Sequence, residues 1–205
     1  YAAETLEHYC TLLGLLVRLR DLVTTSEEEP LELASTARVE LQRIRLYGAV
    51  QKMRAHETLQ LLRRQPEITD MEHKKLSTGS GFTNGHSSLG AFYDVGSEVL
   101  LGWQLQANQW RLAMILKSLS GRGEQARAKR EAYALQHEDW FEFDLVKQTL
   151  AARGHSKLKK GRRVFNHYDP DFIYRYHAPA DLTVRDVVDL GVSYIRRAHA
   201  LGEKL

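Results

Sequence analysis

The sequence has few of the residues that cross-link a chain. It contains one cysteine, Cys10, among 205 residues, so an intrachain disulfide and a zinc cluster built on thiolates are both excluded. A chain of this length buries enough apolar surface to fold without either. A single cysteine is typical of a reducing compartment, and we expect a cytoplasmic protein. Because Cys10 lies in an apolar run, we expect it to be buried.

Several common functional signatures are also missing. No apolar stretch reaches the length of a membrane span, and the first residues do not form a signal segment. We therefore expect no membrane contact. There is no phosphate-binding glycine loop, no dinucleotide fingerprint and no HExxH zinc motif. The nine histidines are scattered, without metal-ligand spacing, so we expect neither a metal nor a cofactor.

The net charge of +3 points to no particular partner, but its distribution is uneven. Residues 27–29 are all glutamate, whereas residues 153–163 contain six bases and no acid. A local patch of this density is the electrostatic footprint of an anion-binding segment, and a solvated loop is the alternative. The six bases are Arg153, Lys157, Lys159, Lys160, Arg162 and Arg163.

Apolar residues recur at helical spacing along most of the chain, and strand-like alternation is nearly absent. This pattern predicts an all-α helical bundle with a long N-terminal helical hairpin. Pro66 is expected to end the second helix, and Gly154 to follow the fifth. The helices are predicted over 3–24, 31–64, 91–119, 125–136 and 139–153, with a last helix after Thr183.

The helix predicted over 91–119 is the most hydrophobic, so we expect it at the centre of the bundle. Residues 77–90 are rich in Gly, Ser and Asn and are predicted to form a loop. This loop would separate an N-terminal hairpin, 1–76, from a helical bundle, 90–205; one continuous domain is the alternative. The apolar side of the central helix is expected to consist of Phe92, Val95, Val99, Trp103, Trp110 and Met114.

Two helix starts have recognisable caps. Thr183 and Asp186 form a capping-box variant before an apolar seam that runs to the C-terminal end of the sequence. Asp139 is a plausible N-cap for the helix predicted over 139–153. These caps support the helical interpretation of the second half of the chain.

One short segment suggests a function. Arg162 and His167 are separated by four residues, in a basic stretch that continues with the aromatic Tyr168 and the acidic Asp169. This segment resembles the signature of the HEPN superfamily of helical-bundle proteins, in which an Arg precedes a His by four to six residues. Many members of that superfamily are RNA-cleaving toxins or phage-defence proteins. In this chain Arg163 stands where the signature usually has Asn or another polar residue.

The resemblance extends over about residues 90–205, and only 162–169 are specific. It implies a metal-independent endoribonuclease that acts as a toxin or defence effector, with Arg162 and His167 as the catalytic pair. It also implies a homodimer and an antitoxin or other protein partner. The chemistry suits these residues, because an imidazole can take the 2′-OH proton at neutral pH and a guanidinium can stabilise charge on the phosphorane.

A structural role for the same residues is the alternative. His167 would then pair with Asp169 or Asp171, and Arg162 with a carboxylate on a neighbouring helix. The protein would be a non-enzymatic helical scaffold or subunit that binds nucleic acid or a partner protein. If the chain acts on RNA, Tyr168, Tyr174 and Tyr176 are expected to stack on unpaired bases, and Lys157, Lys159 and Lys160 to follow the RNA backbone. The predicted RNA-binding residues are Arg153, Lys157, Lys159, Lys160, Arg163 and Tyr168.

Overall fold

The computed structural model describes residues 2–23, 26–72, 75–83, 86–154, 164–179 and 182–203. These residues contain a six-stranded antiparallel sheet, so the prediction of an all-α helical bundle is wrong. The helices are α1 (Ala2–Val23), α2 (Ser35–Arg43), α3 (Tyr47–Arg63), α4 (Pro66–Glu72), α5 (Glu124–Gln136), α6 (Asp144–Ala152) and α7 (Val184–Gly202). The strands are β1 (Leu76–Thr83), β2 (His86–Gly96), β3 (Val99–Gln106), β4 (Gln109–Leu116), β5 (Asn166–Tyr168) and β6 (Phe172–His177).

The strand order in the sheet is β1-β2-β3-β4-β6-β5, so the first four strands form a meander. The β3–β4 connection is a two-residue turn in which Ala107 and Asn108 have φ angles of +51° and +58°. Positive φ at both central residues is the geometry that matches the twist of a hairpin. After β4 the chain passes through α5 and α6 and returns as β5 and β6, which places β6 beside β4.

The segment 91–119 forms strands rather than a central helix. Val99 and Trp103, and likewise Trp110 and Met114, are four residues apart. Residues four apart lie on one side of a strand as well as on one side of a helix, so this spacing fits both structures. Alternation becomes visible when the intervening apolar residues are included. The same side of the sheet also carries Leu101, Leu105, Leu112 and Leu116, all buried.

The predicted loop over 77–90 contributes to β1 and β2, and β1 pairs along its whole length with residues 86–93 of β2. Small residues suit this position because the strands approach closely. A Cβ atom at Gly90 would lie 2.7 Å from the carbonyl oxygen of Trp103 on β3. The core cluster joins Leu59 and Leu62 of α3 to side chains of the sheet.

The helix predicted over 31–64 is divided into α2 and α3. The division lies at Arg45, whose φ of +61° is left-handed and interrupts a helix. Pro66 begins the short helix α4 instead of ending the helical region. A proline is compatible with the first position of a helix because no backbone N–H is needed there.

The predicted ends of the last helices are partly confirmed. Thr183 caps α7, and its capping box with Asp186 is complete. Gly154 follows α6 with a φ of +77°, as expected for a glycine after a helix C-terminus. The N-cap at Asp139 is wrong, because that residue lies in a short 3-10 helix and α6 begins at Asp144.

Helix α1 confirms the prediction for 3–24, but its apolar side is not covered by the described residues. Cys10 is exposed, so its expected burial is wrong. Within the described residues, no helix is both long and apolar enough to span a membrane. The large apolar side chains of α1, between 43% and 62% exposed, are Leu6, Tyr9, Leu12, Leu13, Leu15 and Val17.

The core lies between the sheet and α7. Trp103 of β3 stacks on Trp110 of β4 with ring centroids 4.6 Å apart, and both are fully buried. The indole N–H of Trp103 donates to the carbonyl oxygen of Gly191 at 3.0 Å. Tyr194, one turn further along α7, contacts Trp110 and also Trp140. The helix is thereby held flat against one side of the sheet.

Gly191→Ala is expected to lower the free energy of unfolding by about 1–3 kcal/mol, the usual cost of overpacking. A Cβ atom there would lie 2.5 Å from Cζ2 of Trp103. The free-energy cost of relieving this clash exceeds the gain from the higher helix propensity of alanine. Gly14→Ala in α1 is the matched control, since nothing lies within 4 Å of its Cβ position; it should be neutral or slightly stabilising. Urea denaturation measures both. A Gly191→Ala protein as stable as the wild type would contradict this packing.

Candidate nucleic-acid interface

The two faces of the sheet differ, because side chains alternate along each strand. One face packs on the helices. The opposite face, here called the open face, places Gln104 beside Arg111, and Arg111 beside Tyr176, in register across β3, β4 and β6. Its side chains are partly or fully exposed. The open face is defined by Phe92, Leu100, Gln104, Gln106, Gln109, Arg111, Ile115, Tyr168, Phe172, Tyr174 and Tyr176.

Aromatic rings form a continuous series across the open face. The centroid of Phe92 lies 5.9 Å from that of Phe172, Phe172 lies 5.5 Å from Tyr174, and Tyr174 lies 6.4 Å from Tyr176. Tyr168 on the edge strand β5 is opposite Phe172 and is 76% exposed. All three tyrosines for which the sequence predicts stacking, Tyr168, Tyr174 and Tyr176, therefore lie on one face.

A glycine in β3 makes room for the first ring of this series. A Cβ atom at Gly102 would lie 2.4 Å from Cδ1 of Phe92. The Phe92 ring therefore lies against the backbone of the neighbouring strand. Part of the Phe92 side chain remains exposed on the open face.

The cation of the open face is Arg111. It lies over the ring of Tyr174, with Cζ 4.9 Å from the centroid, a cation–π arrangement. It donates hydrogen bonds to Oε1 of Gln104 at 3.0 Å, of Gln106 at 2.6 Å and of Gln109 at 3.0 Å. Burial lowers the pKa of Arg111. The electrostatic interaction with Tyr174 raises it and offsets part of this decrease. Within the described residues, glutamine amides rather than carboxylates surround this guanidinium.

His167 lies on β5 but points to the other face of the sheet. Its strand partner is the buried Ile173, and its side chain is only 10% exposed. Nε2 lies 2.8 Å from Oε1 of Glu131 on α5, so the structural partner is neither Asp169 nor Asp171. Among the described residues, its Nδ1 is buried without a hydrogen-bond partner.

The other predicted site residues are placed as follows. Arg153 pairs with Asp186 at 2.8 Å and donates to Thr183 Oγ1 at 2.9 Å, so its guanidinium supports the start of α7. Tyr168 belongs to the open face. The catalytic pairing of Arg162 with His167 stays a prediction, because Arg162 lies outside the described residues. Also outside them lie Lys157, Lys159, Lys160 and Arg163.

The sequence interpretation missed Phe92, the three glutamines and Arg111, because it assigned 91–119 to a helix. A signal for them is present. From Gln104 to Arg111, polar and apolar residues alternate on both sides of Ala107-Asn108. Alternation interrupted by a two-residue turn is typical of a hairpin with one exposed face.

A cavity of about 330 Å³ lies on the helix side of the sheet. Its walls are mainly apolar and include Leu101, Met114 and Trp140, with Tyr133 and His137 from the region of α5. In the part of the chain that the structure describes, no three His, Cys, Asp or Glu side chains are grouped as metal ligands. The open face is therefore the stronger candidate for a site, because it combines a cation, amides and rings.

Comparisons with known proteins do not add to this geometry. No family model matches the chain, and no curated protein or solved structure is significantly similar to it. The resemblance of 162–169 to the HEPN signature is not tested by these comparisons and stays a prediction.

Ion pairs hold the turn that joins β5 to β6. Asp169 accepts hydrogen bonds from Arg127 at 2.6 Å and from Arg130 at 2.7 Å, and the Arg130 side chain is fully buried. The hydrogen bond from Arg127, reinforced by the charge of both arginines, lowers the pKa of Asp169. The turn lies between Tyr168 and Phe172, so these contacts position two rings of the open face.

Asp169→Asn is expected to lower the free energy of unfolding at pH 7 and to lower it less at pH 3. The pKa of Asp169 is lower in the folded protein than the value of about 3.9 in an unfolded chain. Its stabilising contribution is therefore present above that value and is lost as the pH falls through the folded-state pKa. Urea denaturation at both pH values measures this, with Asp171→Asn from the same turn as the control. An equal loss at both pH values would contradict the ion-pair assignment.

Proposed function

We propose that this protein binds single-stranded nucleic acid, with RNA as the expected ligand, on the open face of its sheet. The observation that carries the proposal is the series of four neighbouring rings, Phe92, Phe172, Tyr174 and Tyr176, beside the cation of Arg111. Unpaired bases stack on exposed aromatic rings, at about 1–3 kcal/mol per base. A duplex hides the faces of its bases, so the surface suits single strands.

The charge of the neighbouring chain supports an anionic ligand. Strand β5 forms an edge of the sheet and begins three residues after the basic segment 153–163 in the sequence. Lysines and arginines bind phosphates with an affinity that falls as salt concentration rises. We therefore expect binding to combine stacking, which tolerates salt, with a salt-dependent contribution from this segment.

The composition of the open face favours bases over a protein helix. A surface that docks a protein helix usually presents a groove of aliphatic side chains. Here only two partly exposed aliphatic side chains, Leu100 and Ile115, stand among rings, amides and a guanidinium in the described part of this face. Amides and guanidinium groups are the side chains that hydrogen-bond to base edges. A protein partner is the alternative outcome if nucleic acid does not bind.

The proposal does not require a catalytic step. RNA stacked on the open face would not meet the imidazole of His167, because that side chain lies on the other face and contacts Glu131. The endoribonuclease activity that the HEPN resemblance implies for Arg162 and His167 is the alternative to this proposal. The homodimer, the antitoxin and the cytoplasmic location also stay predictions.

Tyr176→Ala is expected to weaken RNA binding roughly 5- to 150-fold, the equivalent of one lost stacking platform. Tyr176→Phe should bind nearly as well as the wild type, because the ring is kept. Fluorescence anisotropy with a labelled, unstructured 20-nucleotide RNA measures the dissociation constants at low and moderate salt.

Tyr9→Ala is the matched control for this experiment. Tyr9 is an exposed tyrosine on α1, away from the sheet, and its replacement should leave the dissociation constant unchanged. Wild-type affinity in a Tyr174→Ala, Tyr176→Ala double variant would end the proposal. So would a wild-type protein that binds no single strand.

RNA incubated with the protein and EDTA is expected to stay intact with both the wild type and His167→Ala. The His167 side chain lies on the helix side of the sheet, opposite the face where RNA would bind. Gel electrophoresis of end-labelled RNA checks this. Cleavage by the wild type that disappears in His167→Ala would contradict the non-catalytic proposal and favour the endoribonuclease.

A further inference from the structure

The glutamines around Arg111 have a defined orientation. The guanidinium has only donors, so each amide that it contacts must present its oxygen. Arg111 contacts Oε1 of Gln104, Gln106 and Gln109. The nitrogen end of each amide, which carries two N–H donors, is therefore turned away from the cation. We call these four residues the glutamine cluster.

The glutamine cluster lies at the side of an aromatic platform. Arg111 is the strand partner of Tyr176 on β6 and of Gln104 on β3. Gln106 and Gln109 are the next pair towards the hairpin turn and lie on the same face. We expect a base that stacks on Tyr176 and extends over Arg111 to reach the amide nitrogens with one edge.

The amide nitrogens of the cluster remain available. Among the residues that the structure describes, no protein acceptor is hydrogen-bonded to Nε2 of Gln104, Gln106 or Gln109. The amide oxygens, in contrast, are largely used by Arg111, which donates twice to Gln109 and once each to Gln104 and Gln106. Because an amide oxygen has two lone pairs and an amide nitrogen two N–H groups, the cluster offers six donors but only two remaining acceptor sites.

We infer that the glutamine cluster selects keto bases, uracil and guanine, over the amino bases cytosine and adenine. This inference rests on the proposed function. Uracil and guanine carry a carbonyl oxygen at the position where cytosine and adenine carry an exocyclic amino group. The carbonyl would accept from an amide N–H. The amino group would place donor against donor and lose its hydrogen bond to water.

Arg111 acts here as a positioning residue. A free glutamine side chain can turn its amide over and present either end, so it accepts either kind of base. With its oxygen bound to the guanidinium, each amide loses that choice. The selectivity therefore depends on Arg111 as much as on the glutamines.

The test compares labelled U12 and C12 RNA with the full chain by fluorescence anisotropy at pH 7.5. The two oligonucleotides have the same length and backbone charge and are both pyrimidine tracts. The wild type is expected to bind U12 roughly 5- to 100-fold more tightly than C12, the usual range for a well-placed base contact. Arg111→Met should bring the ratio of the two dissociation constants towards 1.

A second variant tests the donors themselves. Gln104→Glu replaces an amide with a carboxylate acceptor of the same size and should shift the ratio towards C12. Gln42→Glu on α2 makes the same change of charge at an exposed position and should leave the ratio unaltered. Circular dichroism verifies that each variant is folded.

The outcomes distinguish the keto selectivity from the proposed binding of single strands. Equal binding of U12 and C12 by the wild type, or a preference for C12, would overturn the keto selectivity and leave the binding function in place. A ratio that stays at the wild-type value in both Arg111→Met and Gln104→Glu would also overturn it. Failure of the wild type to bind either oligonucleotide would overturn the proposed function together with this inference.

Discussion

The packing of α7 on the tryptophan side of the sheet decides which side of each central strand is buried. Trp103 stacks on Trp110 and donates a hydrogen bond to Gly191, so the helix and two central strands form one buried layer. Because side chains alternate with a period of two, burying one side of a strand exposes the other. A slip of one residue would bury Gln104 and Arg111 and expose both tryptophans.

Because the tryptophan side of the sheet is buried, the opposite side is exposed and forms the open face. Its rings stand on β2, β5 and β6, and its cation on β4, all in register with the buried positions. Asp169, bound to Arg127 and Arg130, secures the turn that carries Tyr168 and Phe172. The stability of the core and the geometry of the candidate site are therefore linked through the strands.

The sequence predicted the helices whose signals are local. The capping box of Thr183 with Asp186 marks the start of α7, and the glycine at 154 follows the end of α6. The strands were missed because Val99 and Trp103, four residues apart, satisfy both helical and strand spacing. Pairing between strands is a long-range property, which a count of local spacing does not capture.

The sequence also predicted the candidate site only in part. Tyr174 and Tyr176 were expected to face bases because of their residue type, and the structure places them side by side. Arg111 was assigned to a helix and so had no expected role. The orientation of His167 depended on the register of β5 with β6, which sequence alone does not supply.

Photo-crosslinking identifies the face of the sheet that a single strand touches. The protein would be irradiated with RNA that contains 5-iodouridine, and the linked peptides identified by mass spectrometry. Crosslinks to Tyr174, Tyr176 or Phe172 on β6 are expected. Crosslinks confined to α1 or to the helix side of the sheet would exclude binding on the open face.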